Sequence, residues 1–153
     1  MKRAYFSSPI GILELVSNGK QICELNFVEN SGKNDKNDEN LKKVLRELEL
    51  YFSGKLRKFS IDIYINASEF EQKIYNSLLQ IPYGKTITYG ELAASIGRQK
   101  AFRAAGNANA KNKIPIIIPC HRVVSTQGLG GYSGGKGIET KRFLLELEQK
   151  FKD

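Results

Sequence analysis

Two cysteines and one histidine are all that 153 residues offer of these reactive side chains. Cys23 and Cys120 are too few for a disulfide framework and have no zinc-ligand spacing. No apolar run is long enough to span a bilayer, so a membrane protein is not expected. Basic residues follow Met1, but no long apolar region comes after them, so the start does not read as a secretory signal. These absences point to a reducing, cytoplasmic setting that keeps Cys120 a thiol. No internal repeat or low-complexity tract is present. What remains is a chain that is 41% hydrophobic, long enough for a real core or two small lobes.

Charge is unevenly placed. The net charge is +8. Residues 1–66 hold 11 Lys/Arg against 9 Asp/Glu, and residues 67–153 hold 13 against 7. Between Lys85 and Arg122 there are seven basic residues and one acidic one, Glu91. A solvated lysine-rich face would look like this, and so would a surface for a polyanion.

The first half reads as sheet and helix. Ser8-Pro9-Ile10-Gly11 marks a turn, Ile12 to Val16 a strand, Asn18-Gly19 a tight turn and Gln21 to Phe27 the returning strand. Cys23 falls on that strand with no functional claim. Glu29 to Asn40 is a polar loop. Leu41, Val44, Leu45, Leu48 and Phe52 recur at helical spacing, and Ser53-Gly54 closes that helix. Phe59, Ile61, Ile63 and Ile65 alternate with polar or aromatic neighbours, which predicts a half-buried strand. Asn66-Ala67-Ser68 is the expected linker.

The second half reads as helices. Ser68 with Glu71 forms a capping-box pattern for a helix reaching about Leu79 or Gln80, and Pro82-Tyr83-Gly84 breaks it. Thr88 with Glu91 repeats the pattern for a helix from Tyr89 to Ile96, closed by Gly97. A second helix from Lys100 to about Ala110 follows a short turn. Together they suggest a helix-turn-helix. The second member is rich in alanine and glycine, which lets its backbone approach a surface closely. Gln127 to Gly137 is just over half glycine and can wrap a ligand, although no Ser or Thr follows its Gly-Lys pair as a phosphate loop requires. Thr140 to Lys150 is the last helix.

The stretch from Pro115 to Val124, P-I-I-I-P-C-H-R-V-V, draws these parts together. The isoleucines predict a short buried strand that stops at Pro119, with Cys120 and His121 at its end. A lone cysteine is usually a small buried hydrophobe, and a lone histidine is often structural. P-C-H-R-V-V, however, resembles the active-site motif of the O6-alkylguanine-DNA alkyltransferases, and the resemblance extends from residue 68 to about 150. The N-terminal half resembles the family mainly in layout.

That resemblance implies roles one residue at a time. Cys120 falls on the nucleophile, His121 on the histidine that activates it through a water, and Glu148 on the glutamate that orients the histidine. Asn112 falls on the hinge asparagine bracing the turn before the motif. Tyr89 falls on the tyrosine that helps protonate the leaving base and touches the flipped nucleotide's phosphate. Arg103 falls on the arginine that fills the stack, with Lys100 and Ala104 also expected toward DNA and Arg122 expected in a structural or phosphate-facing, DNA-binding role. Val123, Tyr132 and Ser133 fall on the alkylguanine pocket. The chain departs from the family pattern at Lys113, where proline is common, at Phe102 and Ala105, and in a slightly long Lys136 to Thr140 segment. It lacks the zinc-binding cysteine cluster of the extension some bacterial relatives carry.

The expected fold is α+β. Residues 1–66 form a small ribonuclease-H-like antiparallel sheet lobe with a helix, and residues 67–153 a mainly helical lobe with helix-turn-helix geometry. The expected function is direct-reversal repair by a monomer. It binds double-stranded DNA bearing O6-alkylguanine through the minor groove, flips the base and moves the alkyl group irreversibly to Cys120, with no cofactor and no metal. A non-reactive lesion-binding protein on the same fold and a helix-turn-helix regulator are the alternatives. The presence of Cys120 disfavours the first, and the alanine-rich helix the second.

Overall fold

The computed structural model describes residues 1–153. Three antiparallel strands, β1 (Lys2–Ser8), β2 (Gly11–Ser17) and β3 (Ile22–Val28), form a sheet in the order β1-β2-β3. Leu13 and Leu15 of β2 alternate inward with Ala4, Ile22 and Leu25 of its neighbours, all buried. Helix α1 (Glu39–Phe52) covers this face with Leu41, Val44, Leu48 and Tyr51. Its N-cap, Asp38, accepts from the Leu41 amide at 2.9 Å and from the Ser17 hydroxyl at 2.8 Å, tying the helix start to β2.

The strand expected over Phe59 to Ile65 does not form. The side chains alternate half-buried and exposed as the pattern requires, but only Ile63 bridges to the sheet, beside Ile22. The free edge of β3 is already claimed further along, because the Leu25 amide donates to the Lys113 carbonyl at 2.9 Å. Pairing therefore stops after one bridge.

Helix α2 (Glu69–Leu78) and helix α3 (Tyr89–Ser95) both begin with the expected capping boxes. Gly97 takes φ +74, the left-handed conformation that ends α3 without a Cβ penalty. Helix α4 (Phe102–Ala110) starts two residues later than expected. Lys100 lies in a turn closed by the Ala101 amide donating to the Arg98 carbonyl, so it precedes the helix. Ala105, Ala108 and Asn109 face inward, and Phe102, Arg103 and Ala104 face out.

The isoleucine run is a turn instead of a strand. The Ile118 amide donates back to the Ile114 carbonyl at 2.9 Å, and Ile116 has φ +75, the one positive value outside glycine. Such a conformation costs a β-branched residue about 1–3 kcal/mol. It is held because all four isoleucines are buried and Asn112 clamps the turn. Asn112 Oδ1 accepts from the Ile114 amide at 3.0 Å, and its Nδ2 donates to the Ile118 carbonyl at 2.8 Å. Lys113 sits in this turn without preventing either bond. Cys120–Arg122 then form one 3-10 turn, and a two-residue strand, β5 (Val123–Val124), pairs in parallel with β4 (Ile87–Thr88). Cys120 therefore precedes a strand, and the pairing brings the start of α3 beside it.

Helix α5 (Ile138–Phe151) closes the chain and turns Lys141, Leu144 and Glu148 inward. The buried apolar residues of both halves form one continuous core, from Ala4 to Leu144. No helix is long and apolar enough to cross a membrane.

Candidate active site

Cys120 is 6% exposed and lies in the wall of a cavity of about 570 Å³ that also contains Tyr89, Phe102 and Ser133. A second cavity of about 450 Å³ reaches Cys120 from the side of Phe27 and Lys113. A third, of about 380 Å³ around Cys23 and Tyr64, lies behind the hinge and does not include Cys120. Burial pushes the Cys120 thiol up to about 11, only partly offset by the Asn112 amide and the Lys141 ammonium. At neutral pH the resting sulfur is a thiol that needs a base.

His121 is fully buried, with Nε2 2.7 Å from Glu148 Oε2. An ionised carboxylate only accepts, so Nε2 carries the proton and Nδ1 is a bare acceptor. Nδ1 has no protein partner. Burial lowers the His121 pKa, and Glu148 only partly opposes this. Arg122 adds to the effect of burial by offsetting the Glu148 charge, so the resting ring is neutral and able to take a proton.

Burial alone would raise the Glu148 carboxyl, but the bond from His121 and the bonds and charge of Arg122 hold it well below the ordinary carboxylate range. Arg122 makes the stronger case for the ionised form, since it is always charged and binds both oxygens. Its Nε reaches Oε1 at 2.8 Å and its Nη2 reaches Oε2 at 3.1 Å. The Tyr51 hydroxyl and the Gly84 amide also donate to this carboxylate, at 2.7 and 3.2 Å. Arg122 was expected toward DNA. It is 7% exposed, donates through Nη1 to the Ile81 carbonyl at 2.7 Å and lies over the Tyr83 ring. All three of its nitrogens are thus engaged inside the protein.

Val123 also departs from expectation. It is fully buried in β5 and lines neither cavity at Cys120. Its carbonyl instead accepts from Lys141 Nζ at 2.6 Å, and the same ammonium donates to the Gly131 carbonyl at 3.0 Å. Lys141 thus fastens the glycine loop to the strand after the motif, and burial draws its pKa down to about 8.

Tyr89 stands half-buried in the larger cavity. A Cβ at Gly130, where φ is +76, would lie 2.7 Å from its hydroxyl, so the loop closes over this ring only with glycine there. Tyr132 meets Phe27 edge-on, and its buried hydroxyl has no partner. Ser133 donates to the Ala110 carbonyl at 3.0 Å, so its proton is engaged in the resting protein. Arg103 and Ala104 are exposed on α4, and Lys100 is exposed in the turn before it.

Three participants escaped the sequence reading. Tyr51 is apolar-spaced in α1, yet its hydroxyl reaches Glu148 on α5. Lys141 looked like an ordinary charge on α5. Asn109 sits in an alanine-rich helix, and its Nδ2 donates to the Cys120 carbonyl at 3.3 Å. Only the inward spacing of Lys141, Leu144 and Glu148 on α5 offered a clue.

Fold and site together define a class. It is an α+β protein that encloses one thiol above a buried His-Glu-Arg cluster, next to a helix-turn-helix whose outer face is basic. Residues 69–150 match the family model described as 6-O-methylguanine DNA methyltransferase, DNA binding domain, and residues 1–65 match its ribonuclease-like domain. A methylated-DNA--protein-cysteine methyltransferase of Methanosarcina acetivorans is 41% identical, covering 97% of this chain and 98% of its own. Mycobacterium tuberculosis OGT, solved in complex with DNA, superimposes with a TM-score of 0.90 at 39% identity, over 99% of this chain and 94% of that one. A Methanococcus jannaschii O6-methylguanine DNA methyltransferase superimposes at 0.67 with 33% identity, over 91% and 89%. The chain belongs to the 6-O-methylguanine DNA methyltransferase family.

Proposed function

We propose that the protein repairs DNA by moving the alkyl group of O6-alkylguanine to Cys120, once per molecule. Residues 67–153 form the working lobe in this reading, and residues 1–66 support it through Tyr51 and the shared core. The monomer binds duplex DNA in the minor groove, where sequence discrimination is poor and a repair protein needs none. Arg103 takes the place of the flipped base, and Lys100 and Ala104 lie along the same approach. A reducing, cytoplasmic setting fits, because both cysteines are free. No cofactor or metal enters the scheme.

The observation that carries the reading is the unpartnered Nδ1 of a neutral, buried His121, adjacent in the chain to a thiol in the cavity wall. His121 takes the Cys120 proton through one water, while Glu148 stabilises the imidazolium and Arg122 and Tyr51 keep Glu148 in place. The thiolate attacks the alkyl carbon, an S–C bond forms, and the C–O6 bond breaks with its electron pair on O6. The guanine anion takes back one proton, so the thiol hydrogen ends on restored guanine. Tyr89, Tyr132 and Ser133 are the donors arranged around the leaving base. Water has no easy attack on the resulting thioether, so the cysteine is spent.

Intact mass after incubation with an O6-methylguanine duplex tests this. A gain of one methyl group, absent in Cys120→Ser, is expected. Folded, reduced protein without an adduct would remove the transfer reaction and leave only lesion binding.

A further inference from the structure

Behind the reactive turn lies a cleft of about 540 Å³ that the transfer scheme leaves unused. It shares no lining residue with either cavity at Cys120. Ile81, Ile116, Ile117 and Pro119 are its buried members, and Arg57 and Lys58 are exposed ones. Pro119 and Arg122, which also line it, flank the Cys120-His121 pair in the chain. The cleft is therefore the reverse side of the turn that carries the nucleophile. Its size and apolar lining are those of a small-molecule pocket.

The polar groups of the cleft select its ligand. No carboxylate lines it, and neither Arg57 nor Lys58 enters an ion pair. Arg57 Nη2 donates to the Phe151 carbonyl at 2.6 Å, which leaves the guanidinium without a counterion. The Arg57 and Arg122 guanidinium groups lie 5.8 and 5.7 Å from the centre of the Tyr83 ring. The Tyr83 hydroxyl is buried and has no partner. Burial and the Glu148 charge raise its pKa, so it is a protonated donor. A buried donor with no acceptor carries its desolvation cost uncompensated, and such a group calls for an explanation. Two unpaired cations and an orphaned hydroxyl call for an anion. The isoleucines, with the rings of Phe59 and Tyr83, call for a flat apolar body beside it. We propose that this cleft is a binding site for a small amphipathic anion, an aromatic ring bearing a carboxylate, sulfonate or phosphate. The anionic group meets Arg57, Lys58 and the Tyr83 hydroxyl, and the ring lies against the isoleucines. Binding here does not depend on alkyl transfer. A ligand that needs the folded turn stabilises the native protein by mass action.

Titrating 8-anilinonaphthalene-1-sulfonate into the full chain, with isoleucine methyl groups labelled for NMR, tests the proposal. Ile81, Ile116 and Ile117 line this cleft, and no isoleucine lines either cavity at Cys120. The methyl signals of these three are expected to shift together and saturate at one equivalent, and the melting temperature to rise with probe concentration. Arg57→Gln with Lys58→Glu should weaken binding roughly tenfold, as two cations beside an anion are lost. Tyr83→Phe should weaken it roughly two- to tenfold, the value of one net hydrogen bond. N-phenyl-1-naphthylamine, which has the same rings without the sulfonate, should bind roughly tenfold more weakly than the anion for the same electrostatic reason. Should the double variant lose its fold, Lys58→Glu alone is read. Saturation that leaves Ile81, Ile116 and Ile117 unshifted would overturn the site. Equal affinity for the neutral analogue, or an affinity unchanged in the charge variant, would overturn the anion.

Discussion

Replacing Arg122 by alanine separates two accounts of this residue. A basic side chain next to the reactive cysteine suggests a phosphate contact, but the guanidinium is inside, binding both Glu148 oxygens and the Ile81 carbonyl. Its removal leaves a carboxylate that is 1% exposed with only His121, Tyr51 and the Gly84 amide. Breaking a buried ion pair from one side costs about 3–5 kcal/mol. For a chain of this size each kcal/mol moves the melting temperature by about 2–4 °C. The expected drop is therefore about 6–20 °C by calorimetry or circular dichroism. Arg122→Ala should bind an undamaged duplex as tightly as the parent protein at equal salt, below its own melting temperature. A weakened, less salt-dependent affinity with an unchanged melting temperature would refute the buried-pair account and restore Arg122 to the DNA surface.

Arg103→Ala should do the reverse, leaving the melting temperature within about 1 °C and cutting transfer from duplex DNA by tenfold or more, since Arg103 is exposed and the cost of filling the stack falls on it alone. In a Cys23→Ser background, modification of Cys120 by iodoacetamide should rise through a midpoint near 11, well above the ordinary thiol value, because burial disfavours the thiolate. The linkage has a sign. The unfolded thiol ionises first, so native stability falls as pH rises from about 9 toward 11, and Cys120→Ser should flatten that alkaline limb. Asn112→Ala removes both bonds that hold Ile116 in its left-handed conformation. It should cost about 1–3 kcal/mol and slow transfer on every adduct alike, which chemical denaturation and single-turnover rates would check.

Elements whose stability is local were legible from sequence. Both capping boxes, the Asn18-Gly19 turn, the amphipathic α1 and the Gly97 stop depend on residues within a few positions of one another. The Cys-His-Glu grouping was legible through its motif. Where pairing is decided by distant chain, local pattern misled. Ile61 and Ile63 alternate like a strand, but Lys113 had already taken the sheet edge. Four buried isoleucines suit a strand, yet Asn112 satisfied their backbone by a turn and made the left-handed Ile116 tolerable. The inward turn of Arg122 was hidden for the same reason. Only the assembled core shows that Glu148 has room for Arg122 beside His121, and that Tyr51, 97 residues away, completes the shell.

The same assembled view changes how the histidine works. A His-Glu pair in isolation would hold the imidazole charged. With no water-exposed surface, and with Arg122 bound to the carboxylate, His121 rests neutral; in the proposed transfer it is charged only while the sulfur attacks. Lys141 adds a second restraint by holding Gly131 of the covering loop to Val123.

The central claim is a single, irreversible transfer to Cys120. Titrating the protein against excess O6-methylguanine duplex, with restored guanine counted against protein, tests it most directly. The account predicts a sharp end point at one guanine per protein molecule, with the methyl group on the peptide containing Cys120. Restoration continuing past one equivalent, or a methyl group found on any other residue, would contradict it.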